Sequence, residues 1–225
     1  MVNFCVLIPA YNEERNLKRL LDELKNYVDK ERIIVVDDGS KDNTRVIAEK
    51  CGVCVIFHKS NLGKGEALRR GFKEAIKKNV SWVITMDSDM QHLPTDIPKF
   101  LEKAGEGNVD VILGSRMNNI KDMPFQRILS NKITSFLISH RIGQRVEDSQ
   151  CGFRMISKKV IEKISLNKSH FSLESELLLK AGLKKFKIES VNIETIYNNS
   201  KSKINPLRDT LGFIFVFVSS FFWKN

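Results

Sequence analysis

Short apolar runs that each end in a polar cluster recur through the first half of the chain. This pattern constrains the fold more than any single motif does. Phe4 to Ile8 runs into Pro9, Tyr11, Asn12 and Glu13, and Ile33 to Val36 into Asp37-Asp38-Gly39-Ser40. Trp82 to Met86 runs into Asp87-Ser88-Asp89, and Val109 to Leu113 into Gly114-Ser115-Arg116. Runs this short and largely apolar, with only Thr85 and Asp110 polar, read as strands buried on both faces. Between them lie helical patterns. Leu17, Leu20, Leu21, Leu24 and Val28 repeat at spacings of three and four, with Asn12 able to cap that helix. Further helices are expected around Thr44 to Lys50, Leu68 to Ile76 and Ile97 to Ala104, and a strand over Val53 to Phe57. The alternation predicts an α/β fold with a mainly parallel central sheet and helices on both faces. Such sheets bind ligands at the carboxyl ends of their strands, so the polar clusters should gather on one edge as a site.

Beyond Arg116 the alternation lapses. A helix is expected over Ile128 to Ile142, then the polar run Asp148 to Arg154, a helix near Leu173 to Ala181 and a strand near Lys187 to Thr195. With no repeat or linker, residues 1–205 read as one catalytic-sized domain and 206–225 as a short apolar C-terminal segment. Leu211 to Trp223 is largely apolar and holds five of the 14 Phe. At 13 residues it falls short of the roughly 20 that a spanning helix needs. Lys201, Lys203, Arg208 and Lys224 flank it. Four placements are open: a membrane interface, which is the leading expectation, an oligomer contact, a cover for the domain's own core, or part of a spanning helix if the natural chain continues past Asn225.

The composition, 42% hydrophobic over 225 residues, excludes a disordered chain and a polytopic membrane protein. The formal charge of +10 predicts an anionic partner. Nucleic acid is disfavoured, because no basic stretch is interleaved with aromatics. Cys5, Cys51, Cys54 and Cys151 are too few for a disulfide scaffold and read as core thiols in a reducing compartment. No signal peptide is expected at the start, since Val2 to Ile8 is short, lacks a basic start and runs into a Pro-Ala-Tyr-Asn turn. His58, His92, His140 and His170 lack metal-ligand spacing and read as packing or surface residues.

Asp87 and Asp89 stand one residue apart at a strand end, with the Gln91 carbonyl two further on. Hard oxygen donors of this kind suit Mg²⁺ or Mn²⁺, which often bridge protein and substrate phosphates. Asp38 sits where an acidic residue commonly meets a ribose or base. Asn61-Leu-Gly-Lys64-Gly65 opens a helix with glycines and a cation, suited to phosphate. No GxGxxG follows the first strand and no GxxxxGK[ST] occurs, which weakens dinucleotide and P-loop readings.

Ile8-Pro-Ala-Tyr-Asn-Glu-Glu14, Val35-Val-Asp-Asp-Gly-Ser40, Asn61-Leu-Gly-Lys-Gly65, Met86-Asp-Ser-Asp-Met-Gln91 and Gly114-Ser-Arg116 stand in the order and spacing of family 2 glycosyltransferases. With Gln150-Cys-Gly-Phe-Arg154 and Ser202-Lys203, the chain most resembles the dolichol-phosphate mannose synthase branch and its bacterial polyprenyl-phosphate relatives. That resemblance implies a GT-A fold and inverting transfer of a sugar from a GDP or UDP donor. It also implies that Pro9, Tyr11, Glu13, Val36 and Asp38 hold the nucleoside, while Met86, Asp87, Ser88 and Asp89 line the diphosphate. Asp87, Asp89 and Gln91 would bind the metal, Lys64 and Lys203 would meet donor phosphate, and Lys203 would close over the donor. Arg116, Arg127 and Arg154 would serve the acceptor phosphate, together with Ser130 or Asn131. Relatives' spanning helices are reduced here to the apolar tail, which implies an enzyme peripheral on the cytoplasmic face of the membrane.

The acceptor class turns on Asp148. A lipid monophosphate is already an anion and needs no strong base, in which case Asp148 would orient neighbouring cations. A saccharide hydroxyl, the alternative acceptor, needs a carboxylate to take its proton, and Asp148 is the best-placed candidate. A module that only binds nucleotide would require neither the acidic pair nor Arg116.

Overall fold

A computed structural model describes residues 2–121, 123–167, 172–196 and 206–223. Strand β1 (Phe4–Ala10) lies at the heart of a 7-stranded sheet with β2 (Ile33–Asp37), β3 (Cys54–Phe57), β4 (Trp82–Thr85), β5 (Val111–Ser115), β6 (Arg154–Ser157) and β7 (Ile188–Asn192). Their order across the sheet is β3-β2-β1-β4-β6-β5-β7. The first four are mutually parallel and β5 is parallel to β7, whereas β6 runs antiparallel to both its neighbours.

Every residue of β1 is buried, because successive side chains enter opposite layers. Cys5 and Leu7 join one core; Phe4, Val6, Ile8 and Ala10 join the other. The second core is closed by α1 (Leu17–Leu24), α2 (Thr44–Lys50) and α4 (Ile97–Gly105). The first is closed by α3 (Lys64–Lys77), α5 (Phe125–Ile142), α6 (Lys158–Lys163), α7 (Ser172–Leu183) and α8 (Pro206–Ser219). This is the three-layer α/β arrangement that the alternation predicts.

One local expectation is corrected, two elements are added, and one open placement is narrowed. Asn12 does not cap α1: it takes a left-handed backbone (φ 53°), and the Glu13 carbonyl accepts from Asn16 and Leu17, which delays the helix. Strand β6 was not expected, nor was α6 behind it. The tail is a helix docked on α7, with Val216 fully buried and Phe213 and Phe217 packed against the core. Arg141 of α5 fastens its end, donating to the Ser220 carbonyl and hydroxyl at 2.5 and 3.1 Å. The inner face of the segment therefore covers the domain's own core. Among the described residues no helix is long and apolar enough to cross a membrane.

Candidate active site

The carboxyl ends of β1, β2, β4 and β5 lie on one edge of the sheet, and antiparallel β6 starts at that edge: Arg154 pairs with Thr85 and with Leu113. The polar loop before β6, Asp148 to Gly152, thereby joins the four clusters at the strand ends. Thr85 donates to the Gly152 carbonyl at 2.9 Å, which ties that loop to β4.

On the β1 side, Pro9 pairs with Val36 across the ladder, and Ser88 donates to the Pro9 carbonyl at 3.1 Å. Pro9, Val36, Met86 and Ser88 thus form a buried floor. Tyr11 and Glu13 lie on the loop after β1, which is laced to the loop after β2. Asn12 N donates to Ser40 Oγ, Lys41 N to Asn12 Oδ1, and Glu13 N to Thr44 Oγ1. Asp38 is buried and turned toward the glycine loop. Its Oδ1 takes His58 Nδ1 and Leu62 N at 2.7 and 2.9 Å; its Oδ2 takes Gly63 N and Asn61 Nδ2 at 2.7 and 3.0 Å. Four donors occupy about the four lone-pair sites of a carboxylate, so in this structure Asp38 shapes the Asn61–Gly65 loop. Gly39 (φ 73°) lets that loop approach, since a side chain there would strike the backbone of Ser60 and Asn61.

The acidic pair sits beyond β4. Lys64, at the start of α3, reaches Asp87 Oδ1 at 2.6 Å and Glu174 of α7 at 3.0 Å. Burial opposes the charge on Asp87, but adjacent Lys64 outweighs it and holds the carboxyl below its usual range. Asp89 goes the other way: burial, then repulsion by Asp87, pushes it up to about 6. Among the described residues Asp89 forms no ion pair, and the charge of Lys64 does not offset the burial and the repulsion. Two hard-oxygen side chains with Gln91 close by fit Mg²⁺ or Mn²⁺, provided other oxygens complete the shell. Among the described residues no three His, Cys, Asp or Glu side chains converge to hold a metal alone. Gly152 forms the wall, where a methyl group would collide with the Asp87 carboxylate and come within 2.9 Å of Lys64 Nζ.

On the β5 side, Arg116 grips Asp148 through two parallel bonds, Nε to Oδ2 at 2.7 Å and a terminal nitrogen to Oδ1 at 2.8 Å. The Arg116 backbone N–H and Asn131 Nδ2 also donate to that carboxylate, at 3.1 and 2.8 Å. Asp148 is fully buried. Burial alone would raise its pKa, but the bonds from Arg116 and then its charge lower it below the usual range. A carboxylate so held has neither the free lone pair nor the basicity to accept a proton. In this structure Asp148 therefore holds Arg116 in place, the arrangement set out above for a phosphate acceptor rather than the alternative in which it takes a proton.

One expectation changes and one alternative narrows. Arg154 does not reach toward an acceptor: it is buried, and its three nitrogens donate to the carbonyls of Cys151, Glu174 and Ser149 at 2.7, 3.0 and 2.8 Å. It fastens the polar loop to the first turn of α7. Asn131 faces inward onto Asp148, whereas Ser130 is exposed and takes a bond from Gln150 Nε2 at 3.0 Å. Of the two candidates only Ser130 lies on the outer flank of α5, one turn from half-buried Arg127. Lys203, along with Lys201, Lys224 and His170, lies outside the described residues.

Sequence reasoning missed Glu174, whose one signal is an acid in the first turn of a helix. His58 is tied to Asp38 as described, and buried His92 is kept neutral, its pKa pushed down to about 4 by burial and then by Arg116.

The sequence pattern described as Glycosyl transferase family 2 matches residues 5–165. The chain belongs to that family. A dolichyl-phosphate N-acetylglucosaminyltransferase of Methanococcus voltae, which uses UDP-N-acetylglucosamine, is 34% identical over 85% of this chain and 85% of its own. A dolichol-phosphate mannosyltransferase of Pyrococcus furiosus is 34% identical over 78% of this chain and 52% of its own. In fold, the chain matches glucosyl-3-phosphoglycerate synthase of Mycobacterium tuberculosis, solved with Mn²⁺, UDP-glucose and phosphoglyceric acid. That match has a TM-score of 0.75 at 20% identity and covers all of this chain and 81% of the other. The sheet and its helices are thus those of a GT-A glycosyltransferase.

Proposed function

We propose that this family 2 glycosyltransferase moves a hexose, of the mannose or glucose type, from a GDP or UDP donor to dolichyl or polyprenyl phosphate. The observation that carries this reading is the state of Asp148. With that carboxylate committed to Arg116 and Asn131, the site lacks its expected base for a hydroxyl acceptor. An acceptor phosphate brings its own anionic oxygen. The M. voltae and P. furiosus relatives, both named for dolichyl-phosphate acceptors, support the same class and divide on the sugar.

In the reaction, an oxygen of the acceptor phosphate bonds to the anomeric carbon as the bond from that carbon to the donor diphosphate breaks. The bonding electrons leave with the nucleoside diphosphate, and attack from the opposite side inverts the configuration. Pro9, Tyr11, Glu13 and Val36 hold the nucleoside, and Lys64 lies by the diphosphate. A divalent ion held by Asp87 and Asp89 with Gln91 would supply charge neutralisation for the leaving group. Arg116, fixed by Asp148, offers a cation that need not reorganise as charge moves. Arg127 and Ser130 meet the acceptor phosphate from α5.

The reaction takes place at the cytoplasmic face of a membrane. Supporting this, α8 leaves Leu211, Ile214, Phe215 and Val218 exposed, and Phe221 and Phe222 just beyond its end are exposed too. Helix α5 exposes Phe125, Leu129, Ile133 and Phe136 at spacings of four, four and three, a stripe along one face.

The test incubates the protein and Mn²⁺ with GDP- and UDP-sugars, adding polyprenyl phosphate in one arm and free saccharides in the other. Sugar recovered in lipid extracts only with polyprenyl phosphate is the expected result. Transfer to saccharide alone would instead mean a hydroxyl acceptor. Nucleotide binding without turnover would mean a non-catalytic module.

A further inference from the structure

Lys64 and Glu174 belong to elements that close the same face of the sheet, α3 and α7, and they meet at the acidic pair. The ammonium of Lys64 covers Oδ1 of Asp87 at 2.6 Å. On the other side, Oδ2 faces Gly152 so closely that a methyl group would not fit between them. One oxygen of Asp87 is therefore backed by main chain and the other carries a cation already. A divalent ion arriving at Asp87 meets that ammonium at contact distance, where like charges repel strongly in a partly desolvated site. Glu174 lies 3.0 Å from the same nitrogen. Its position is fixed, because Arg154 donates to its backbone carbonyl at 3.0 Å.

We propose that Lys64 is a resident counter-ion which the divalent metal displaces from Asp87, and that Glu174 is the seat to which it withdraws. This deepens the metal reading above and rests on it. The arrangement keeps Asp87 and Asp89 together before the metal arrives, although two bare carboxylates would push apart. It also couples the two ligands. Lys64, once released from Asp87, remains beside the donor diphosphate, so metal and nucleotide each favour the other.

The test measures Mn²⁺ binding directly, by loss of the free-ion electron paramagnetic resonance signal, in the full chain without nucleotide. Lys64→Met keeps the length of the side chain and removes the competing charge. Glu174→Gln leaves Lys64 with Asp87 as its acidic partner. The expected result is Mn²⁺ affinity at least about fivefold higher in Lys64→Met and at least about fivefold lower in Glu174→Gln. With GDP or UDP added, Lys64→Met should lose the cooperative gain in Mn²⁺ affinity seen in the wild type.

Unchanged or weaker Mn²⁺ binding in Lys64→Met overturns the inference, because a merely structural lysine would not raise metal affinity when removed. If that variant does not fold, Glu174→Gln decides alone, and unchanged or tighter binding there overturns it. Mn²⁺ binding that ignores both substitutions leaves the metal site standing without the counter-ion. Absence of Mn²⁺ binding in all three proteins sinks the metal reading and this inference together.

Discussion

Arg116 presents Nε and a terminal nitrogen to the two oxygens of Asp148 at 2.7 and 2.8 Å, and the acid in this pair has no solvent contact. Breaking such a buried pair from one side leaves the other charge uncompensated. Asp148→Asn should therefore cost about 3–5 kcal/mol at neutral pH and lower transfer as Arg116 loses its aim. The folded pKa of Asp148 lies below its ordinary 3.8, so the stabilisation is present above that value and is lost as pH falls through the folded one. Urea unfolding at pH 7 and pH 3 checks this: the gap between wild type and variant should narrow in acid. Equal stability at pH 7 would contradict it.

Asp89 carries the opposite sign. Its pKa is raised to about 6, so the neutral form suits the metal-free fold, and stability is lost as pH rises from the ordinary 3.8 through 6. Without metal, Asp89→Asn should be more stable than wild type above pH 6, by roughly 1–3 kcal/mol. That advantage should vanish below the ordinary value. Asp89→Ala should stay folded by circular dichroism yet lose transfer by at least about 100-fold. An unchanged rate would remove the metal site from the mechanism.

At Gly152 the prediction is steric. Alanine would press on the Asp87 carboxylate and Lys64. Overpacking of this kind costs about 1–3 kcal/mol, and transfer should fall with it. A Gly152→Ala protein with wild-type melting temperature and rate would show that the wall is not tight.

On α5 the two flanks should behave differently. Arg127→Ala and Ser130→Ala should raise the KM for polyprenyl phosphate, about tenfold for the arginine, without lowering the melting temperature. Asn131→Ala, which strips a donor from buried Asp148, should lower the melting temperature instead. Steady-state kinetics with varied acceptor, beside thermal melts, separates them. The reverse pattern would place Asn131 at the acceptor.

Helix α8 offers the same kind of contrast between faces. Replacing exposed Phe215 and Phe222 by Ser should reduce sedimentation with anionic vesicles while leaving the melting temperature near wild type. Val216→Asp, on the buried side, should unfold the helix from α7. Undiminished vesicle binding in the first protein would assign the outer face to something other than lipid.

The donor edge was readable because parallel strands buried on both faces leave apolar runs, and each run here stops at a polar turn. The other half was harder for identifiable reasons. Strand β6 has only four residues and opens on Arg154, a charge that in a sequence reads as solvent-facing or phosphate-facing. Three backbone carbonyls, which no sequence pattern reveals, explain why it is buried. Asn131 and Ser130 are neighbours of similar polarity, and only the rotation of α5 against Asp148 tells them apart. Glu174 went unseen because its partner, Lys64, is distant in the chain. For the tail, periodicity could not say which face would meet α7.

Strands β5 and β6 are hydrogen-bonded neighbours, yet the chain between them travels out through the whole of α5 before returning. This excursion is closed at its base, like a long hairpin, and the closure entropy of such a loop grows only slowly with length. Residues between Arg116 and Asp148 can therefore change in length at little entropic cost, provided that Ile138 and Ile142 keep their place in the core and Asn131 its bond to Asp148. A different helix grafted onto the same two strands would present new acceptor chemistry to an unaltered donor edge. If α5 meets the acceptor phosphate as proposed, acceptor choice can be re-engineered there while the sheet beneath stays the same.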